Sequence, residues 1–205
     1  MTATTFFLVR HGTTDAVGQR LVGRHPDVPL NAAGRAQCER VATFLAGLPL
    51  AAVYSSPLER AAHTAQAVAR PHGLEVRVRE ALIDIEFGEW SNETLAALRD
   101  RPEFRRFNAQ RAGHAPPGGE HPALVQARMV TELCRLRDAH PGGAVAVVGH
   151  ADPLRAALAF FLGVAIDLAR RLELDPACVT RLELSDTDAS LRFLNCQPTA
   201  TPLVL

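Results

Sequence analysis

Apolar residues in this chain alternate between short unbroken runs and longer stretches in which they recur every three or four positions. Phe6-Phe7-Leu8-Val9 is a run of the first kind, and Ala144-Val145-Ala146-Val147-Val148 is another; both read as short strands buried on two faces. Further strands are expected at 51–54, 75–78, 179–184 and 191–196. Helical spacing appears where Cys38, Val41, Ala42 and Leu45 follow a capping Asn31, with Gly47 to end the helix. Leu58, Ala61, Ala65 and Val68 mark a second helix, opened by Ser56-Pro57-Leu58-Glu59, a capping box with proline at the first helical position. A third spans about 124–139, with Val125, Met129, Leu133 and Leu136 on one side, and stops at Pro141-Gly142-Gly143. A fourth is expected to be capped by Asp152 and started by Pro153, with Leu154, Ala157, Leu158 and Phe161 facing the core. Strands alternating with helices predict an α/β fold, a three-layer sandwich whose mostly parallel central sheet carries helices on both faces.

Two stretches break this rhythm. Residues 19–30, with Gly23, Pro26 and Pro29, read as a loop long enough to be functional. Residues 91–121 are charged, hold Arg99, Arg101, Arg105, Arg106 and Arg111, and pass through Pro116-Pro117-Gly118-Gly119. One or two short helices and a loop are expected there, inserted over the functional face of a single domain covering 1–205. The arginines read either as a solvated helical face or as part of a lid that contacts a ligand.

Composition narrows the partners. Arg and Lys together balance Asp and Glu at 22 each, and every basic residue is arginine, so no global charge points to nucleic acid or an anionic membrane. The longest apolar runs fall far short of the roughly 18 residues that span a bilayer. No basic start followed by a long apolar core suggests a secretory leader. Cys38, Cys134, Cys178 and Cys196 form no C-x-x-C pair and no zinc spacing. A reduced, cytoplasmic protein is the expectation. His25, His63, His72, His114, His121 and His140 are dispersed and suggest no metal site.

The chemistry sits at strand ends. Arg10 and His11 follow the first strand, His150 follows the strand ending at Gly149, and Arg60 lies in the first turn of the helix that follows the second strand. In open α/β sheets ligands bind beyond the carboxyl ends of the strands, so one crevice can receive all four. Two guanidiniums offer forked donors to a phosphoryl group, a helix N-terminus adds backbone N–H groups, and a neutral imidazole is a nucleophile. Adjacent cations are expected to keep His11 neutral. In Leu82-Ile83-Asp84-Ile85-Glu86-Phe87 the two carboxylates alternate with apolar residues, so an extended chain puts both on one face, where one can donate a proton to a leaving alcohol.

Leu8-Val9-Arg10-His11-Gly12-Thr13-Thr14, Ser55-Ser56-Pro57-Leu58-Glu59-Arg60-Ala61-Ala62-His63-Thr64-Ala65, Phe87-Gly88-Glu89-Trp90 and Val148-Gly149-His150 resemble, in order, the motifs of the histidine phosphatase superfamily, the phosphoglycerate-mutase-like proteins. The resemblance runs from about residue 6 to about residue 196. It implies that His11 becomes a transient phosphohistidine, that Arg10, Arg60 and His150 form the phosphate pocket, and that Thr14 is a secondary contact. Asp84 falls where the family usually has a glutamate proton donor; being one methylene shorter, it leaves Glu86 and Glu89 as alternatives. Mutases of the family typically carry glutamate after Arg-His-Gly and a lysine-rich substrate loop, whereas this chain has Thr13 and no lysine. The resemblance therefore implies a metal-independent phosphomonoesterase that needs no cofactor and acts on a small phosphorylated metabolite. A cofactor-dependent mutase and a non-catalytic phosphate-binding module are the alternatives. The partner is a small-molecule phosphate ester, with neither nucleic acid nor membrane, and a homodimer is left open.

Overall fold

The computed structural model describes residues 2–203. Its six strands, β1 (Thr4–Arg10), β2 (Leu50–Ser55), β3 (Val76–Val78), β4 (Ala144–Gly149), β5 (Val179–Leu184) and β6 (Ala189–Cys196), form one sheet in the order β3-β2-β4-β1-β5-β6. The first four are mutually parallel, β5 runs antiparallel to β1, and β6 antiparallel to β5. The helices are α1 (Ala32–Leu45), α2 (Glu59–Ala69), α3 (Leu95–Leu98), α4 (Pro102–Ala109), α5 (Pro122–Ala139) and α6 (Ala151–Phe161).

The period of two along β1 divides the core. Phe6 and Leu8 pack among side chains of α5 and α6 such as Met129, Leu133, Leu154 and Leu158. Phe7 and Val9 point the other way, into Val41 and Leu45 of α1 and Ala61, Ala65 and Val68 of α2. A strand flanked by helices on both faces must be apolar at every position, which is why β1 and β4 read as unbroken runs. The expected sandwich is the one observed. Among the described residues, no helix is long and apolar enough to cross a membrane.

Two expected helix starts are corrected. Ser56 does not cap α2: Leu58 holds the cap position in an extended conformation, and α2 begins at Glu59 without a side-chain cap. The Ser56 hydroxyl instead accepts from the Leu58 N–H at 3.3 Å and meets a buried histidine ring. Asp152 does not cap α6 either. His150 occupies that position, and Asp152, within the first turn, is drawn to the Arg111 guanidinium at 3.0 Å. Asn31 caps α1 as expected, accepting from the Gly34 N–H at 2.8 Å.

The register places the site. Arg10 lies opposite Gly149, so β1 and β4 leave the sheet side by side, and the His11 N–H donates to the Gly149 carbonyl at 3.0 Å. The loop after β1 then lies directly on the start of α1. A Cβ on Gly34 would stand 2.0 Å from the Thr13 carbonyl oxygen, and one on Gly12 would stand 2.7 Å from the Gly34 carbonyl oxygen. Only glycine permits that approach.

Candidate active site

His11 is buried, 6% exposed, and its Nδ1 lies 2.7 Å from the Gly12 carbonyl oxygen. A carbonyl only accepts, so Nδ1 carries the proton and Nε2 of the neutral ring keeps its lone pair. The Gly12 N–H donates to Thr64 Oγ1 at 3.1 Å, and the same hydroxyl donates to the Arg60 carbonyl at 2.8 Å. One α2 side chain thus joins the loop that orients the imidazole to the turn that carries the guanidinium.

His150 faces His11 with ring centroids 5.2 Å apart. Its Nε2 is 2.8 Å from Ser56 Oγ, while its buried Nδ1 has no hydrogen-bond partner and lies 3.5 Å from Asp84 Oδ2. Arg60, 2% exposed, donates through Nη2 to the Gly23 carbonyl at 2.6 Å and to Asp84 Oδ2 at 3.2 Å. Arg10 donates through Nη1 to the Leu174 carbonyl at 2.6 Å, and its buried Nε has no partner. Thr14 is buried beside them. Arg10, His11, Thr14, Arg60 and Asp84 line one cavity of about 240 Å³, and His150, wholly buried, faces His11 without itself being part of that lining. All six expected site residues are therefore brought together.

Burial sets the protonation states. It lowers the His11 pKa to about 3, helped by Arg60 and then Arg10, so desolvation outweighs the adjacent cations that were expected to act. Burial, then His11 and the arginines, holds His150 well below its ordinary value. Asp84 moves the other way: burial raises it to about 6 against the opposing pull of Arg60.

Of the three carboxylates weighed as proton donor, Asp84 is the one that lines the cavity. Residues 80–90 do not form the extended strand that would align Asp84 with Glu86; they form 3₁₀ turns at Glu80–Leu82 and Gly88–Trp90. Glu86 accepts from the Gly88 N–H at 3.2 Å and from Ser91 Oγ at 3.1 Å, and Glu89 is exposed. Arg128 of α5 clamps the Asp84 loop, donating to the carbonyls of Ala81 and Ile83 at 2.7 Å each and pairing with Glu120 at 2.9 Å. Arg24 donates to the Asp84 carbonyl at 2.9 Å.

The five arginines of residues 91–121 divide. Arg101 pairs with Glu93, and Arg99 and Arg105 pair with Asp100. Arg111 alone of the five lines the cavity, stacked over Phe107 at 4.8 Å. Trp90 meets Phe104 and Phe107 edge to face at 5.4 and 5.5 Å and so seats α4 beside the site. Sequence reasoning missed Ser56, Thr64 and Arg128 as partners of the site. Ser56 and Thr64 lie within the motif that also carries Arg60, but their hydroxyls looked like a helix cap and a helix interior position. Arg128 gave no local signal. Four of the dispersed histidines have partners of their own: His140 meets Tyr54 Oη at 2.8 Å, His121 accepts from the Ala123 N–H, His114 Nδ1 lies 3.1 Å from the Gln110 carbonyl, and His63 pairs with Glu59.

Residues 6–197 match the Histidine phosphatase superfamily (branch 1). The chain belongs to the histidine phosphatase superfamily. Within it, the chain is 35% identical over 197 residues to a protein of Mycobacterium tuberculosis named as bifunctional, covering 95% of this chain but 54% of that protein, so it spans about half the length of that relative. It is 28% identical over 191 residues to the adenosylcobalamin/alpha-ribazole phosphatase of Escherichia coli, covering 92% and 94% of the two chains. The solved structure of a mycobacterial glucosyl-3-phosphoglycerate phosphatase superposes with a TM-score of 0.85 at 28% identity, covering 95% of this chain and 99% of the other. This superfamily member thus keeps the sheet, and its strand ends present a neutral imidazole to two guanidiniums and a buried carboxyl. Such a set can transfer a phosphoryl group.

Proposed function

We propose that this chain is a phosphomonoesterase of small phosphorylated metabolites, independent of metal and cofactor, working through a phosphohistidine on His11. The observation that carries this reading is the tautomer of His11: Nδ1 is bound to its own loop, and Nε2 keeps a free lone pair in a cavity lined by Arg10 and Arg60. In the first step Nε2 attacks phosphorus, the ester P–O bond breaks, and the leaving oxygen takes a proton from Asp84. In the second, water attacks the phosphohistidine and returns a proton to Asp84, the P–N bond breaks, and inorganic phosphate leaves. Arg10, Arg60 and His150 Nδ1–H hold the phosphoryl oxygens and supply the positive charge that the transition state needs, with Thr14 as a further contact. Residues 91–121 act as a lid on one domain formed by 1–205. Free thiols at Cys38, Cys134, Cys178 and Cys196 support a cytoplasmic setting.

Hydrolysis of para-nitrophenyl phosphate in excess chelator tests this reading. Wild type turns the ester over at a rate the chelator leaves unchanged, and His11→Ala abolishes turnover while far-UV circular dichroism stays that of a folded chain. Turnover that persists in His11→Ala, or that disappears with chelation, overturns the mechanism.

A further inference from the structure

Asp84 lies on a stretch with no hydrogen-bond ladder of its own. Residues 83–87 join the 3₁₀ turns Glu80–Leu82 and Gly88–Trp90 and belong to neither helix nor strand. A backbone of this kind keeps its place only where other groups take up its carbonyls. Here two guanidiniums do so. Arg128 donates through Nη1 to the Ala81 and Ile83 carbonyls at 2.7 Å each and through Nη2 to the Asp84 carbonyl at 3.3 Å. Arg24, from the loop of residues 19–30, donates through Nε to the same Asp84 carbonyl at 2.9 Å.

One carboxylate locks the two together. Glu120 accepts from Arg128 Nε at 2.9 Å and Nη2 at 3.0 Å, a forked pair, and from Arg24 Nη2 at 2.9 Å. Its own N–H donates to the Glu86 carbonyl at 2.8 Å, two residues past Asp84. Burial alone would raise the Glu120 pKa, but the hydrogen bonds and charge of Arg128, then the charge of Arg24, outweigh it and hold the carboxyl below its ordinary value. The Asp84 side chain is tied to the same frame. Arg60, which donates to Asp84 Oδ2 at 3.2 Å, is itself held by the carbonyls of Gly23 and His25, on either side of Arg24. None of Arg24, Glu120 and Arg128 lines the cavity, so their route to the chemistry runs through Asp84.

We propose that Arg24, Glu120 and Arg128 are positioning residues for the proton donor: the clamp fixes the Asp84 backbone so that its short side chain brings the carboxyl to the leaving oxygen. The proposal rests on the phosphomonoesterase reading and adds to it the means by which the acid is placed. A carboxyl displaced by about 1 Å loses much of a general acid's contribution. Arg10 and His150 share no hydrogen bond with the clamp and still hold the phosphoryl group. The clamp therefore matters in proportion to how badly a leaving group needs a proton.

Phenyl phosphate and para-nitrophenyl phosphate share a ring and differ in how much protonation the leaving group needs. Arg128→Gln is expected to lower kcat/KM at least about tenfold for phenyl phosphate and less than about twofold for para-nitrophenyl phosphate, with inhibition by inorganic phosphate within about twofold of wild type. Arg24→Gln removes a partly exposed side chain and leaves the Arg128–Glu120 pair intact, and is expected to act in the same sense by about threefold or more. In an Asp84→Asn background neither substitution is expected to change phenyl phosphate turnover by more than about twofold, because the group they place is gone. Phenyl phosphate turnover at the wild-type rate in both variants, equal losses on the two esters, a matching loss of phosphate binding, or losses that persist in full in Asp84→Asn overturn the proposal and leave the phosphomonoesterase reading standing. Should Arg128→Gln fail to fold by far-UV circular dichroism, the same outcomes in Arg24→Gln decide. A wild type that hydrolyses neither ester removes that reading and this proposal with it.

Discussion

Burial lowers the His11 pKa to about 3 and raises that of Asp84 to about 6, so between these values the proposed nucleophile is neutral and the proposed acid still holds its proton. For an alkyl phosphate, kcat/KM is expected to fall about tenfold per pH unit above about pH 6, as Asp84 loses its proton. Asp84→Asn is expected to flatten that limb and to slow alkyl esters by about a hundredfold, while sparing para-nitrophenyl phosphate, whose leaving group needs little protonation. A pH–rate profile that keeps the same limb in Asp84→Asn would place the acid elsewhere. Stability carries opposite signs at the two residues. The raised Asp84 pKa favours the fold below the ordinary carboxylate value, and this contribution is lost as pH rises through about 6. The depressed His11 pKa favours the fold above 6.5, and that contribution is lost as pH falls towards 3. Chemical denaturation is expected to show Asp84→Asn gaining on wild type, by on the order of 1–3 kcal/mol, between pH 4 and pH 7.

Helix starts and strand exits are where sequence and structure part company. The apolar runs of β1 and β4 and the helical stripes of α1, α5 and α6 were legible because burial on one or two faces leaves a period in the sequence. The starts of α2 and α6 were misread because Ser56 and Asp152 have the chemistry of caps, yet His150 and Arg111 compete for them with stronger partners across the fold, and no local pattern reports that. Arg10, His11, Arg60 and His150 were legible as a group because each sits at the end of a strand or the start of the next helix. Arg128 was not, since the carbonyls through which it holds the Asp84 loop are more than forty residues away. Ser56→Ala leaves His150 Nε2 buried without its partner and is expected to cost about 1–3 kcal/mol, read by urea unfolding, together with a fall in kcat. Gly34→Ala drives a Cβ into the Thr13 carbonyl, a contact between two backbones with no side chain to yield. A loss of about 1–3 kcal/mol in unfolding free energy is expected, with activity falling further because the His11 loop must shift.

Across the whole molecule the formal charge is zero, yet six arginines converge on one cavity. The proposed anionic ester is expected to be drawn to the cavity by this local field, with kcat/KM falling several-fold between about 0.01 M and 0.5 M salt as the Debye length shrinks from about 30 Å to a few Å. A flat salt response would mean that the field does not reach beyond the cavity. The pairing of Arg10 with Gly149 has a consequence for assembly. It closes a site whose parts lie about 140 residues apart in the chain, with Arg60 arriving from a third segment. A chain lacking any one of these elements cannot assemble the proposed oxyanion site, so orthovanadate or phosphate is expected to act as a ligand of the native state alone. At a hundred times its dissociation constant such an oxyanion shifts the unfolding equilibrium by about 2.7 kcal/mol, which makes added phosphate a gauge of how much of the population is fully folded.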